Sequence, residues 1–141
     1  MSIKQLSIFV ENREGAMSKI MQVLASYRVD IRALSIADTT DFGILRLVVE
    51  DTEKAVCALH AENIIVSVTS IVGVVIPDEA GSLAKVLKVL AEGMINIEYM
   101  YSFLTVLEGK ALIAIKVADT DATTKLLNQS GIDTLEEDTE F

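Results

Sequence analysis

One cysteine and one histidine stand in a chain of 141 residues, and their scarcity removes whole classes of function. Cys57 has no second cysteine to pair with, so no internal disulfide staples the fold, which fits a reducing compartment. His60 lies three residues from Cys57 in a stretch that reads as a helix. No Gly-Xaa-Ser-Xaa-Gly elbow or metal-spaced cluster elsewhere completes a site around the two. A packed thiol and a surface histidine account for them, so no catalytic residue, no metal and no cofactor is expected. Positive charge is also scarce, with 12 Lys and Arg against 21 Asp and Glu and a net charge of −9. Glu136, Glu137, Asp138 and Glu140 crowd together and read as a solvated, fraying end. Such a surface repels phosphate backbones and anionic lipid, so neither nucleic acid nor membrane is expected as a partner. Long apolar runs are missing too. The longest, Ile71 to Ile76, contains a glycine and falls far short of the roughly 18 residues of a membrane span. Residues 1–10 alternate polar and apolar side chains instead of showing the basic flank and continuous apolar segment of a leader. A cytoplasmic location is therefore expected.

Apolar side chains, by contrast, are plentiful: at 51% hydrophobic the chain is too apolar to be a disordered regulator and must form a core. It is also written twice. At a constant separation of 66 positions, Gly15 falls on Gly81, Lys19 on Lys85, Leu24 on Leu90, Ala25 on Ala91, Ile31 on Ile97 and Gly43 on Gly109. Past the hairpin the separation becomes 68, pairing Asp51 and Thr52 with Asp119 and Thr120, Leu59 with Leu127 and Ile64 with Ile132. The second copy has a hairpin about two residues longer, and the domains are expected at 1–69 and 70–141.

Each copy has the same order of elements. Leu6, Ile8 and Val10 alternate with Gln5, Ser7 and Phe9, so the first strand can bury one face. Met17, Ile20, Met21 and Leu24 then recur at i, i+3, i+4 and i+7, the stripe of an amphipathic helix. Val29 to Ala37 and Ile44 to Val49 are β-rich around turn residues 38–43, a hairpin. Asp51 is placed to cap a second helix, with Glu53 in its first turn and Ala55, Val56 and Leu59 inward. Ile64 to Thr69 closes the unit, and Ile71 to Ile76 opens the next with no Gly/Ser-rich linker between. The second copy predicts a helix with Leu83, Val86, Leu87 and Leu90 inward and a strand at Ile95 to Phe103. A turn at Glu108-Gly109, a strand at Ala111 to Val117, a helix opened by Asp119 and a short strand at Ile132 to Leu135 follow. The fold class is α+β: two tandem ferredoxin-like βαββαβ units with antiparallel sheets.

Three patterns are candidate sites. Asp38 and Asp41 raise the idea of a cation site but flank a hairpin turn, where Asp is ordinary. Tyr99, Tyr101 and Phe103 alternate along one strand where the first copy has Ala33, Ser35 and Ala37. That unlike pair of faces is a packed sheet, a pocket lining or a subunit contact. The loops Asn12 to Gly15 and Asp78 to Gly81 are the most informative. A glycine there lets the chain turn closely into a helix whose first N–H groups and positive partial charge suit a carboxylate. Asn12, Asp30, Asp78 and Asn96 are acceptors for an ammonium, Asp30 and Asn96 because each begins the strand after the helix. A purely structural strand-glycine-helix turn remains the other reading of the same residues.

The segments Val10 to Gly15 with Val29-Asp30-Ile31, and Pro77 to Leu83 with Ile95-Asn96-Ile97, resemble the ACT domain, a small-molecule regulatory module of amino-acid metabolism. The resemblance extends over nearly the whole chain, twice, and is greatest to stand-alone tandem ACT proteins. Asn12 matches the family's Asn or Asp before the loop glycine, and Asn96 its Asn-Ile pair opening the second strand. Asp30 replaces that Asn in the first copy, and Glu14 and Ala80 stand where a proline usually precedes the glycine. What the resemblance implies is a non-enzymatic sensor that holds a free amino acid at a junction of ACT units. The ligand-binding residues expected in the first copy are Asn12, Glu14, Gly15, Ala16 and Asp30. In the second they are Asp78, Ala80, Gly81, Ser82, Leu83, Asn96 and Tyr101. A homodimer is expected, with a metabolic enzyme or regulator as a further partner. The alternatives are a dimerising interaction module without ligand and, least, a small enzyme on the same fold.

Overall fold

A computed structural model describes residues 2–38 and 41–136. They gather into two compact units, one spanning Lys4–Thr69 and the other starting at Ser70 and also taking in Ile3.

The first unit contains β1 (Ile3–Glu11), α1 (Ala16–Ser26), β2 (Ile31–Asp38), β3 (Phe42–Val49), α2 (Thr52–Ala61) and the start of β4 (Val66–Pro77). Its strands lie in the order β2-β3-β1-β4. Register pairs Ile8 with Leu45 and Leu6 with Leu47, so the alternation of β1 meets that of β3 on one face. That face is buried beneath Ile20, Val23 and Leu24 of α1 and Ala55, Ala58 and Leu59 of α2. Met17 and Met21 pack half-buried at its margin. The expected hairpin is present as the pairing of Asp38 with Gly43, although residues 39 and 40 of its turn lie outside those described.

The second unit continues β4 and adds α3 (Ser82–Glu92), β5 (Tyr99–Ser102), β6 (Lys110–Lys116), α4 (Thr120–Gln129) and β7 (Asp133–Thr134). Its order, β5-β6-β4-β7, is the same plan one repeat later. Val74 sits between Ile113 and Thr134, and Val86, Leu90 and Leu127 cover Val72, Val74, Ile76 and Ile115. Gly73 has to be small: a Cβ there would stand 2.8 Å from Leu135 Cδ1 and 3.2 Å from Ile3 Cδ1.

The four helices among the described residues stop in one way. Arg28, Asn63, Met94 and Gly131 take left-handed φ angles of 56°, 59°, 57° and 78°. Each donates its N–H three residues back while the next residue donates five back, as Met94 to Ala91 and Ile95 to Leu90 do. This is the Schellman closure, which satisfies carbonyls the last turn would leave open.

Three expectations need correcting. Ile64 to Thr69 and Ile71 to Ile76, expected as two strands running almost directly one into the other, are a single strand: β4 runs from Val66 to Pro77 because nothing between them turns the chain. The strand expected at Ile95 to Phe103 shrinks to Tyr99–Ser102. Ile95 is committed to closing α3, and Ile97 with it packs against the core, so ladder bonding begins only where Glu98 N–H reaches Lys116 O at 2.9 Å. Leu87 is half-buried outside the core cluster, where Val89 packs instead. Of the acidic end, Glu136 is exposed, while Glu137, Asp138 and Glu140 lie outside the described residues.

Candidate functional site

The two glycine loops are built by matching hydrogen bonds. In the first, Asn12 N–H donates to Asp41 O at 2.9 Å, Arg13 N–H to Glu11 O at 2.9 Å and Ala16 N–H to Arg13 O at 3.4 Å. In the second, Asp78 N–H donates to Gly109 O at 2.9 Å, Glu79 N–H to Pro77 O at 2.9 Å and Ser82 N–H to Glu79 O at 3.3 Å. Gly15 and Gly81 are left-handed, at φ 79° and 90°. A Cβ on either would meet nothing within 4 Å. The glycine is therefore required by backbone conformation and not, as expected, by a close approach.

The helix starts divide into two kinds. Asp51 and Asp119 cap α2 and α4, their carboxylates accepting from Lys54 N–H at 3.1 Å and Ala122 N–H at 3.0 Å. Glu53 and Asp121 add negative charge in the first turn of each. Gly15 and Gly81 are the N-caps of α1 and α3, where no side chain caps and no acidic residue occupies the first turn. An anion brought to α1 or α3 would meet amides that the chain's own carboxylates leave uncapped.

The structure brings only part of the expected set together. Asn12, Glu14 and Gly15 are contiguous and exposed, with Ala16 half-buried behind them; Asp78, Ala80 and Gly81 repeat this with Ser82 buried and Leu83 half-buried. Val10, Met17, Ile36 and Gly43 join Asn12 around a crevice of about 90 Å³. Asp30 is elsewhere. Its carbonyl accepts from Glu50 N–H, and β3 carries the chain from Phe42 beside the loop to Val49 beside Ile31. At about 3.4 Å per residue those seven steps amount to roughly 24 Å, so loop and Asp30 occupy opposite ends of one unit. Asp30 has its own partner in Arg32 Nη2, 3.3 Å away. Asn96 lies likewise at the far end, since Lys110 pairs with Pro77 beside the loop and Lys116 with Tyr99; it precedes β5 by three residues and does not begin it. Tyr101 pairs with Ala114 in mid-strand and stacks on Tyr99 with centroids 6.4 Å apart. Phe103 is buried, whereas its counterpart Ala37 is exposed.

His60 is exposed on α2 as expected, but Cys57, expected to be packed, is exposed as well. Among the described residues no group of three or more His, Cys, Asp or Glu side chains is placed to hold a metal, and no helix is long and apolar enough to cross a membrane. Sequence reasoning missed a feature on the other flank of α1 and α3, where Lys19 and Lys85 border grooves. The constant separation of 66 between these lysines was its one visible sign.

No match occurs among curated proteins. Protein BT0572 from Bacteroides thetaiotaomicron has a similar structure, with a TM-score of 0.89 and 39% sequence identity over 96% of this chain and 92% of that one. The ligand-free regulatory subunit of aspartate kinase from Thermus thermophilus shares the fold with a TM-score of 0.66 and 17% identity, covering 90% of this chain and 91% of that one. Aspartate kinase of Clostridium acetobutylicum shares it at 0.53 and 16%, covering 92% of this chain and 33% of the enzyme. The sequence profile of the ACT domain pair matches residues 1–140, and the chain belongs to that family.

Proposed function

We propose that this protein is a non-enzymatic sensor that binds a free amino acid and relays its presence to a metabolic enzyme or regulator. The observation that carries this reading is the contrast between helix starts. Two of four are closed by their own aspartates, and the two that follow the repeated glycine loops are left to an outside carboxylate. Asn12 and Asp78 flank those starts with side chains able to accept from an ammonium. Asp30 and Asn96, at the far ends of their own units, contribute from a second copy of the chain in a homodimer. The aspartate kinase likenesses support the fold and are in keeping with a regulatory role.

Thermal denaturation with each of the common amino acids tests the reading. At about 100 times its dissociation constant the right one adds roughly 2.7 kcal/mol, a rise of several degrees in Tm. The same compound as its amide, or without its carboxylate, gives a much smaller rise. No shift with any amino acid at millimolar concentration contradicts the proposal. A second reading, an interaction module without ligand, has one observation in its favour. Leu104, Val106 and Leu107 are exposed in the loop before β6, Val106 by 87%.

A further inference from the structure

We draw no further inference here: the strongest candidate, the exposed apolar patch of Phe9 and Phe42 with Ile44 on the face of the first unit's sheet turned away from α1 and α2, carries none because nothing in the structure shows what covers it.

Discussion

The two units keep and discard different things. Both retain the glycine loops, the aspartate caps of the second helices and the left-handed closures of every helix, down to individual hydrogen bonds. They part company at the second strand. In the first unit β2 has eight residues, with Ala33, Ser35 and Ala37 on one face; in the second β5 has four, with Tyr99 and Tyr101 stacked. They also differ in mid-strand, where Ser7 in β1 corresponds to Gly73 in β4. Backbone devices that start and stop elements are held in common, while the faces that meet something else are free to change.

The largest expected effect tests that divergence. Gly73→Val drives a side chain into Leu135 and Ile3 and should cost about 2–3 kcal/mol in urea denaturation, an overpacking penalty. Ser7→Val, at the matching position, loses only the 3.3 Å bond from Gln5 Nε2 and should cost about 1 kcal/mol or less. Equal costs would mean that the two mid-strand positions are alike after all. Next come the shared caps. Asp51→Ala and Asp119→Ala should each cost about 1 kcal/mol, since the same carboxylate-to-amide bond is lost in both. A smaller effect of opposite sign is expected at the closures. Met94→Gly and Arg28→Gly relieve a left-handed side-chain residue and should each stabilise by roughly 0.5–1 kcal/mol. Gly131→Ala, at an equivalent closure with nothing within 4 Å of the added Cβ, should destabilise by about 1 kcal/mol from backbone strain alone. Smallest is Lys88→Ala. Its exposed pair with Glu92 at 3.9 Å is screened, and the change should stay within about 0.5 kcal/mol in the same measurement.

Much of the fold could be read from local chemistry. The stripe through Ile20 and Leu24, the caps at Asp51 and Asp119 and the tight turn at Glu108-Gly109 each depend on residues near in sequence. What stayed hidden depends on competition between local and distant contacts. Ile95 and Ile97 alternate like strand residues, but packing against the core and the closure of α3 claim them before the ladder can. Arg28 and Met94 stop their helices in a conformation usually signalled by glycine, so nothing in their identity announces it. The loops of the candidate site were legible because glycine and its neighbours are contiguous. The remoteness of Asp30 and Asn96 from them was not, because it follows from the register of β3 and β6. The groove beside Lys85 was hidden more deeply, since its lining converges from β4, α3, β6 and the α4–β7 turn.

Calorimetric titration with a complete panel of amino acids and their amides tests the sensor account most directly. Saturable binding of at least one free amino acid is predicted, falling by roughly tenfold or more when its carboxylate becomes an amide, if the helix starts at Gly15 and Gly81 hold that charge as proposed. Silence across the panel at millimolar concentration, or an amide that binds as tightly as its acid, would contradict it.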